Sequence, residues 1–375
     1  MTPRPLGRIA GTIGAIAAAG SLALAGSAAA ATSTNHAVFV QTDNSAGNQI
    51  VAYDRAPDGT LRKAATYDTG GLGGQLEGSV SDHLGSQGSL AFDAADNLLY
   101  AVNAQSNTIS VFAVFGDRLA LRQVLSSGGT FPVSIAVGDG VVYVLNALEG
   151  AALQGFRVLS GRLVPIPGSN VGLGLSTTET PQFTHTPGDV TFSPDDGQLI
   201  VTTKAAGEDV DVFAVDSLGR LSSPTINHLA GTVPFAATFD KQGHLVLGEA
   251  AGFIAGFELQ EDGTIAQLDA VPTGQTATCW VTRVRDRFFY TSNTASGTLS
   301  GFRSEASGQL LAPLGNTTTD AGTVDAASPD GRFLYVQAGI PGTVDEFAVA
   351  NDGSLTSIGS VTVPGAVGGE GIVAP

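Results

Sequence analysis

Leu90-Ala91-Phe92, a turn, Leu98-Leu99-Tyr100-Ala101-Val102-Asn103, a second turn, and Thr108-Ile109-Ser110-Val111-Phe112 form the stretch that decides the fold. Each piece alternates apolar and polar residues, the period of a half-buried strand. The same unit recurs along the chain. The aromatic that ends its third strand appears as Tyr53, Phe112, Phe156, Phe213, Phe257, Phe302 and Phe347, at gaps of 59, 44, 57, 44, 45 and 45 residues. A base period of about 44 residues, with two insertions, is the length of one four-stranded propeller blade. Seven aromatics predict an all-β, seven-bladed β-propeller over residues 36–375.

The turns agree. Pro57-Asp58-Gly59, Glu261-Asp262-Gly263, Pro329-Asp330-Gly331 and Asn351-Asp352-Gly353 supply turn residues between first and second or third and fourth strands. The 50 glycines suit many short strands joined tightly. Closure is legible at the ends. The chain enters at what reads as a second strand, Ala37-Val38-Phe39-Val40, and finishes at Gly369-Glu370-Gly371-Ile372-Val373-Ala374, which resembles a first strand. The C-terminal strand is therefore expected to complete the first blade and remove the open sheet edges. The insertions fall at about 68–88 and 165–186, both rich in Gly, Ser and Thr. In a meander they share one face with the starts of first strands and the ends of second strands.

Residues 1–31 read as a signal peptide: Arg4 and Arg8, an apolar stretch from Ile9 to Ala25, then small residues through Ala31. This predicts a secreted protein, extracellular or in the cell envelope, with no membrane span after cleavage. The single cysteine, Cys279, excludes an internal disulfide. Loss of Arg4 and Arg8 leaves 15 basic against 34 acidic residues, which argues against nucleic acid or anionic lipid as partners. A monomer is expected.

Aligning the second strands places Asn103, Asn146 and Asn293 at one position and Lys204 and Glu249 at the next, all on the loop-bearing face. The asparagines read either as strand-to-turn residues bonding locally or, with Glu370, as ligand-binding groups at the axial mouth. Lys204 and Glu249 sit on adjacent blades. A buried pair of this kind could do acid–base work; a solvated pair would contribute little. His185, in Phe183-Thr184-His185-Thr186-Pro187-Gly188, leads into the fourth blade at the mouth. Glu249, Lys204 and His185 are thus the candidate catalytic residues. Cys279 and Trp280 read as packing near the axis. No zinc-ligand spacing, calcium loop, phosphate loop, dinucleotide fingerprint or Gly-x-Ser-x-Gly elbow occurs, so no metal and no cofactor is expected.

Phe192-Ser193-Pro194-Asp195 and Ala327-Ser328-Pro329-Asp330-Gly331-Arg332-Phe333-Leu334-Tyr335-Val336 resemble the lactonase propeller family. That family includes bacterial 6-phosphogluconolactonase and fungal carboxymuconate cyclase, and within it the chain looks most like secreted actinobacterial members. The resemblance covers roughly residues 36–375 and implies the propeller fold more specifically than the reaction. The family's His in the first strand of blade four falls at Gly188, its Arg opening the third strand at about Asp209, and its Pro-Arg-His at Pro234-Phe235-Ala236. Its Glu ending the second strand of blade five is retained as Glu249. The resemblance therefore implies lactone hydrolysis or isomerisation, with Glu249 as general base and Lys204 or His185 holding the oxyanion. Loss of the other polar residues keeps open a non-catalytic propeller that binds an extracellular glycan, peptide or protein.

Overall fold

The computed structural model describes residues 36–305 and 312–375; the segment read as a signal peptide lies outside them. Among the described residues, seven antiparallel sheets follow one another around a ring, and each sheet is a meander from an innermost first strand to an outermost fourth. The seven repeat aromatics all lie in third strands and are at most 2 % exposed. They fill the space between neighbouring sheets, which is why their spacing carries the blade period.

Blade one is composite. Ile372–Val373 forms its inner strand and pairs antiparallel with Ala37–Gln41, as the sequence predicts. Blade three departs from the simple plan. Its outermost position is split between Arg162–Pro165 and Val171–Gly172, both paired with Ala152–Leu159. The interruption is a packed turn: Ile166 is buried, and the Ser169 hydroxyl bonds the Gly155 and Ile166 carbonyls. The second insertion thus begins as part of a strand, and its later portion is loop with one short helical turn at Gln182–Thr184.

Tyrosines tie blade to blade. Tyr143, Tyr290 and Tyr335, on second strands, donate to the carbonyls of Gly219, Gly353 and Gly59 at 2.7, 2.6 and 2.7 Å. Each acceptor lies in the outer hairpin turn of the next blade round the ring. Gly59 stands at φ +93°, and a Cβ there would sit 2.2 Å from the Phe333 ring, so both backbone and packing require glycine.

Buried carboxylates add inter-blade contacts near the axis. Asp189 of blade four accepts from the Ser134 hydroxyl of blade three and the Ala237 amide of blade five. Glu370 of blade one accepts from the Gly88 amide ahead of blade two. No helix among the described residues is long and apolar enough to cross a membrane.

Candidate functional site at the axial mouth

The first insertion closes one end of the ring. Between Asp68 and Leu90 the chain forms no strand or helix, yet much of it is buried. Leu76 and Leu84 are fully buried in the cluster that holds Phe131 and Val133, and burial of such side chains stabilises by about 1.5–3 kcal/mol each. The loop then crosses the axis and bonds to blade after blade. The Ser86 hydroxyl donates to the Val133 carbonyl of blade three, and the Gln87 amide to the Gly188 carbonyl ahead of blade four. Trp280 Nε1 of blade six donates to the Ser86 carbonyl at 2.7 Å, and the Val281 amide to Gln87 Oε1. The His83 amide reaches the Gly368 carbonyl, and Gly339 of blade seven lies so close to the Ser81 carbonyl that no Cβ fits. A long loop without its own secondary structure in a compact fold usually has a functional reason; this one is a stopper.

Lys204 fastens the stopper. It is 1 % exposed, and its Nζ donates to the Gly85 carbonyl of the first insertion and to the Phe183 carbonyl and Thr186 hydroxyl of the second. One ammonium thereby joins both insertions to blade four. Its backbone stands at φ +51°, strained for a non-glycine residue. Burial pulls its pKa down to about 7, opposed by the nearby Asp82 carboxylate. Burial also pushes Asp82 up to about 6, against the Leu84 and Ser86 amides and Lys204, which lower it.

Beside the stopper is a cavity of about 270 Å³, walled mainly by Val80, Phe183, Phe235, Cys279 and Trp280, with Asp82 as its charged group. Local strand geometry builds the aromatic wall. In blades five and six the first strand slips register at its mouth end, between Pro234 and Ala236 and between Thr278 and Trp280. The residue just before each strand, Val233 and Ala277, lies at positive φ (54° and 57°). Such a bulge re-aims the extra side chain, and the extra residues are Phe235 and Cys279. Phe235 packs on Trp280 with ring centroids 4.7 Å apart.

The three candidate catalytic residues are not brought together. No hydrogen bond or ion pair joins Lys204, Glu249 and His185 to one another. Glu249 is 3 % exposed at the end of Leu245–Glu249, and its carboxyl has no bonded partner. Burial pushes its pKa up to about 7. Strand alternation puts it on the face of Leu247, which packs between blades four and five. His185 turns outward: its Nδ1 contacts the Thr184 hydroxyl and the Pro181 carbonyl, and its Nε2 lies 3.4 Å from Glu179. It lines a separate, polar groove of about 560 Å³ with Glu77, Glu149 and several threonines.

The ligand-binding candidates are all buried, and the amide nitrogens of the three asparagines are bonded within the fold, while Asn146 Oδ1 has no partner. Asn103 Nδ2 donates to the Thr108 and Ser110 hydroxyls, and Asn293 Nδ2 to those of Thr298 and Ser300. Asn146 Nδ2 bonds the Ser127 and Ala152 carbonyls. These are strand-to-turn ties. Glu370 lies on the axis, fully buried, with Oε2 unpartnered. Asp82 and the Phe235–Trp280 wall were missed by sequence reasoning. Asp82 lies in the mainly polar run Ser81-Asp82-His83-Leu84-Gly85, which carries no local signal of burial. Among the described residues no group of three or more His, Cys, Asp or Glu side chains is arranged to hold a metal ion.

No protein-family model matches the sequence, and no curated protein does. Solved structures match the fold. A periplasmic gluconolactonase of Pseudomonas aeruginosa shares 18 % identity, with a TM-score of 0.71 over 90 % of this chain and 98 % of that one. A Bacteroides uniformis protein, itself a candidate 6-phosphogluconolactonase, shares 16 % identity, with a TM-score of 0.72 over 90 % of this chain and 98 % of that one. Virginiamycin B lyase of Staphylococcus aureus aligns at 12 % identity with a TM-score of 0.52, over 74 % of this chain and 85 % of that one. At such identities the likeness is one of fold, and the same architecture carries a lyase as well as lactonases. In fold, the chain is similar to the lactonase-type seven-bladed propellers.

Proposed function

We propose that this chain is an exported propeller that binds a small, largely apolar molecule in the cavity at its axial mouth. The observation that carries the reading is the aromatic-walled cavity of about 270 Å³ between the stopper and blades five and six. Concave, mostly apolar sites with few polar groups are the usual form of small-molecule sites. The larger groove beside His185 is polar, and its His185–Glu179 pair is partly solvated, so it offers a ligand less desolvation and weaker electrostatics.

Trp280 is the chain's only tryptophan and forms part of the wall, so its fluorescence reports this one place. Titration of the purified protein with a panel of small lactones and hydrophobic amines is expected to give a saturable change in Trp280 emission with at least one compound. A flat response across the panel would overturn the reading. Export rests on Arg4, Arg8 and the apolar stretch up to Ala25; mass spectrometry of the secreted protein is expected to find its start near Ala31.

A second reading, lactone opening, is favoured by Glu249. Its unpartnered carboxyl, held by burial near pKa 7, suits a general base working at neutral pH. The names of the gluconolactonase-type fold neighbours point the same way. Turnover of a sugar or carboxymuconate lactone that is lost in Glu249→Gln would support it; no turnover, or equal rates in both proteins, would remove it.

A further inference from the structure

We propose that the mouth cavity is built for a small organic cation, an alkylammonium group carried on an apolar body; this rests on the reading of that cavity as the binding site. Three features of the cavity point to the same ligand chemistry. Its wall is lined by Phe183, Phe235 and Trp280, and aromatic rings attract desolvated cations. The protein already uses one of them in this way, with the Lys204 ammonium 5.3 Å from the Phe235 centroid.

The second feature is an excess of buried acid behind that wall. Asp82 lines the cavity and lies within electrostatic range of Asp43, Asp325 and Glu370, all buried near the axis. The one buried ammonium among them is Lys204. A bound cation would be paired by Asp82, the one carboxylate of this group that lines the cavity.

The third is that most of the strong donors around the cavity are spent, the Ser81 hydroxyl excepted. Trp280 Nε1 is held by the Ser86 carbonyl, and the three protons of Lys204 Nζ by Gly85, Phe183 and Thr186. The Thr294 hydroxyl donates to the Thr323 carbonyl. An acceptor-only ligand such as a lactone carbonyl would find few donors there, and burying it unpaired is costly. A quaternary ammonium needs none.

The test compares benzyltrimethylammonium with its uncharged isostere, neopentylbenzene, by Trp280 fluorescence and calorimetry on the purified protein. The expected result is about tenfold tighter binding of the cation, with that preference lost in Asp82→Asn and weakened in Phe235→Leu. Because Asp82 also caps the turn at Leu84 to Ser86, the wild-type comparison stands on its own if Asp82→Asn fails to fold. Equal or tighter binding of neopentylbenzene would overturn the cation proposal and leave the cavity as the site. A lactone that binds while the cation does not would overturn it too. No response to either probe or to any lactone would sink the cavity reading along with it.

Discussion

Lys204 is the residue on which the mouth depends. Its alignment with Glu249 at the ends of adjacent second strands is visible in the sequence, because second strands repeat with the blade. Where its ammonium goes is not visible, because the carbonyls that hold it belong to two insertions whose paths follow no period. Replacing it by Met leaves the Gly85 and Phe183 carbonyls without their donor and Asp82 without its cation. The expected cost is on the order of 3 kcal/mol, concentrated in the loops. Cys279, the only cysteine, lines the cavity and is buried, with its thiol pushed up to about 12 by that burial. In Lys204→Met its rate of modification by a thiol reagent should rise about tenfold or more, as local opening becomes easier. An unchanged rate would mean that the stopper does not need its ammonium clasp.

At the scale of strands and turns, the sequence speaks most clearly where packing repeats. The third-strand aromatics mark every blade because each fills an equivalent gap between sheets, and Asp-Gly turns recur in several of them. The tyrosine ties follow the same logic. Tyr335→Phe removes the bond to the Gly59 carbonyl and leaves that acceptor buried. Urea unfolding should show a loss of about 1 kcal/mol with an unchanged slope; no loss would show that water takes over the carbonyl. The bulges at Phe235 and Cys279 were less legible. Positive φ at Val233 and Ala277 is imposed by tertiary structure on residues that do not favour it, so composition carries no sign of it. Those bulges build the cavity wall, which explains why Trp280 and Cys279 read from sequence only as packing near the axis.

At the scale of the molecule, the ring encloses acid. Burial, the leading cause in each case, pushes Asp43 up to about 8, Asp189, Glu249 and Asp325 to about 7, and Asp82 and Asp211 to about 6. In the unfolded chain these groups titrate near 4. Between about pH 4 and pH 8 the native state therefore binds more protons than the unfolded state. The stability these carboxyls contribute is complete below their unfolded pKa and is lost as pH rises through 6 to 8. Lys204, lowered to about 7, works in the opposite sense above neutrality, one group against six. Melting temperature should accordingly be higher at pH 5 than at pH 8; a melting temperature that climbs over that range would show that the axial carboxyls are ionised and compensated. Blade count, closure by the C-terminal strand and the loop-bearing face were all readable from the repeat. The stopper was not, since its seating depends on single contacts across the ring.

The most direct test is a crystal structure of the protein soaked with benzyltrimethylammonium. Ligand density is expected in the mouth cavity, against the wall formed by Phe235 and Trp280, with the ammonium turned toward Asp82 and the stopper still fastened by Lys204. Density in the groove beside His185, with the axial cavity empty, would contradict it.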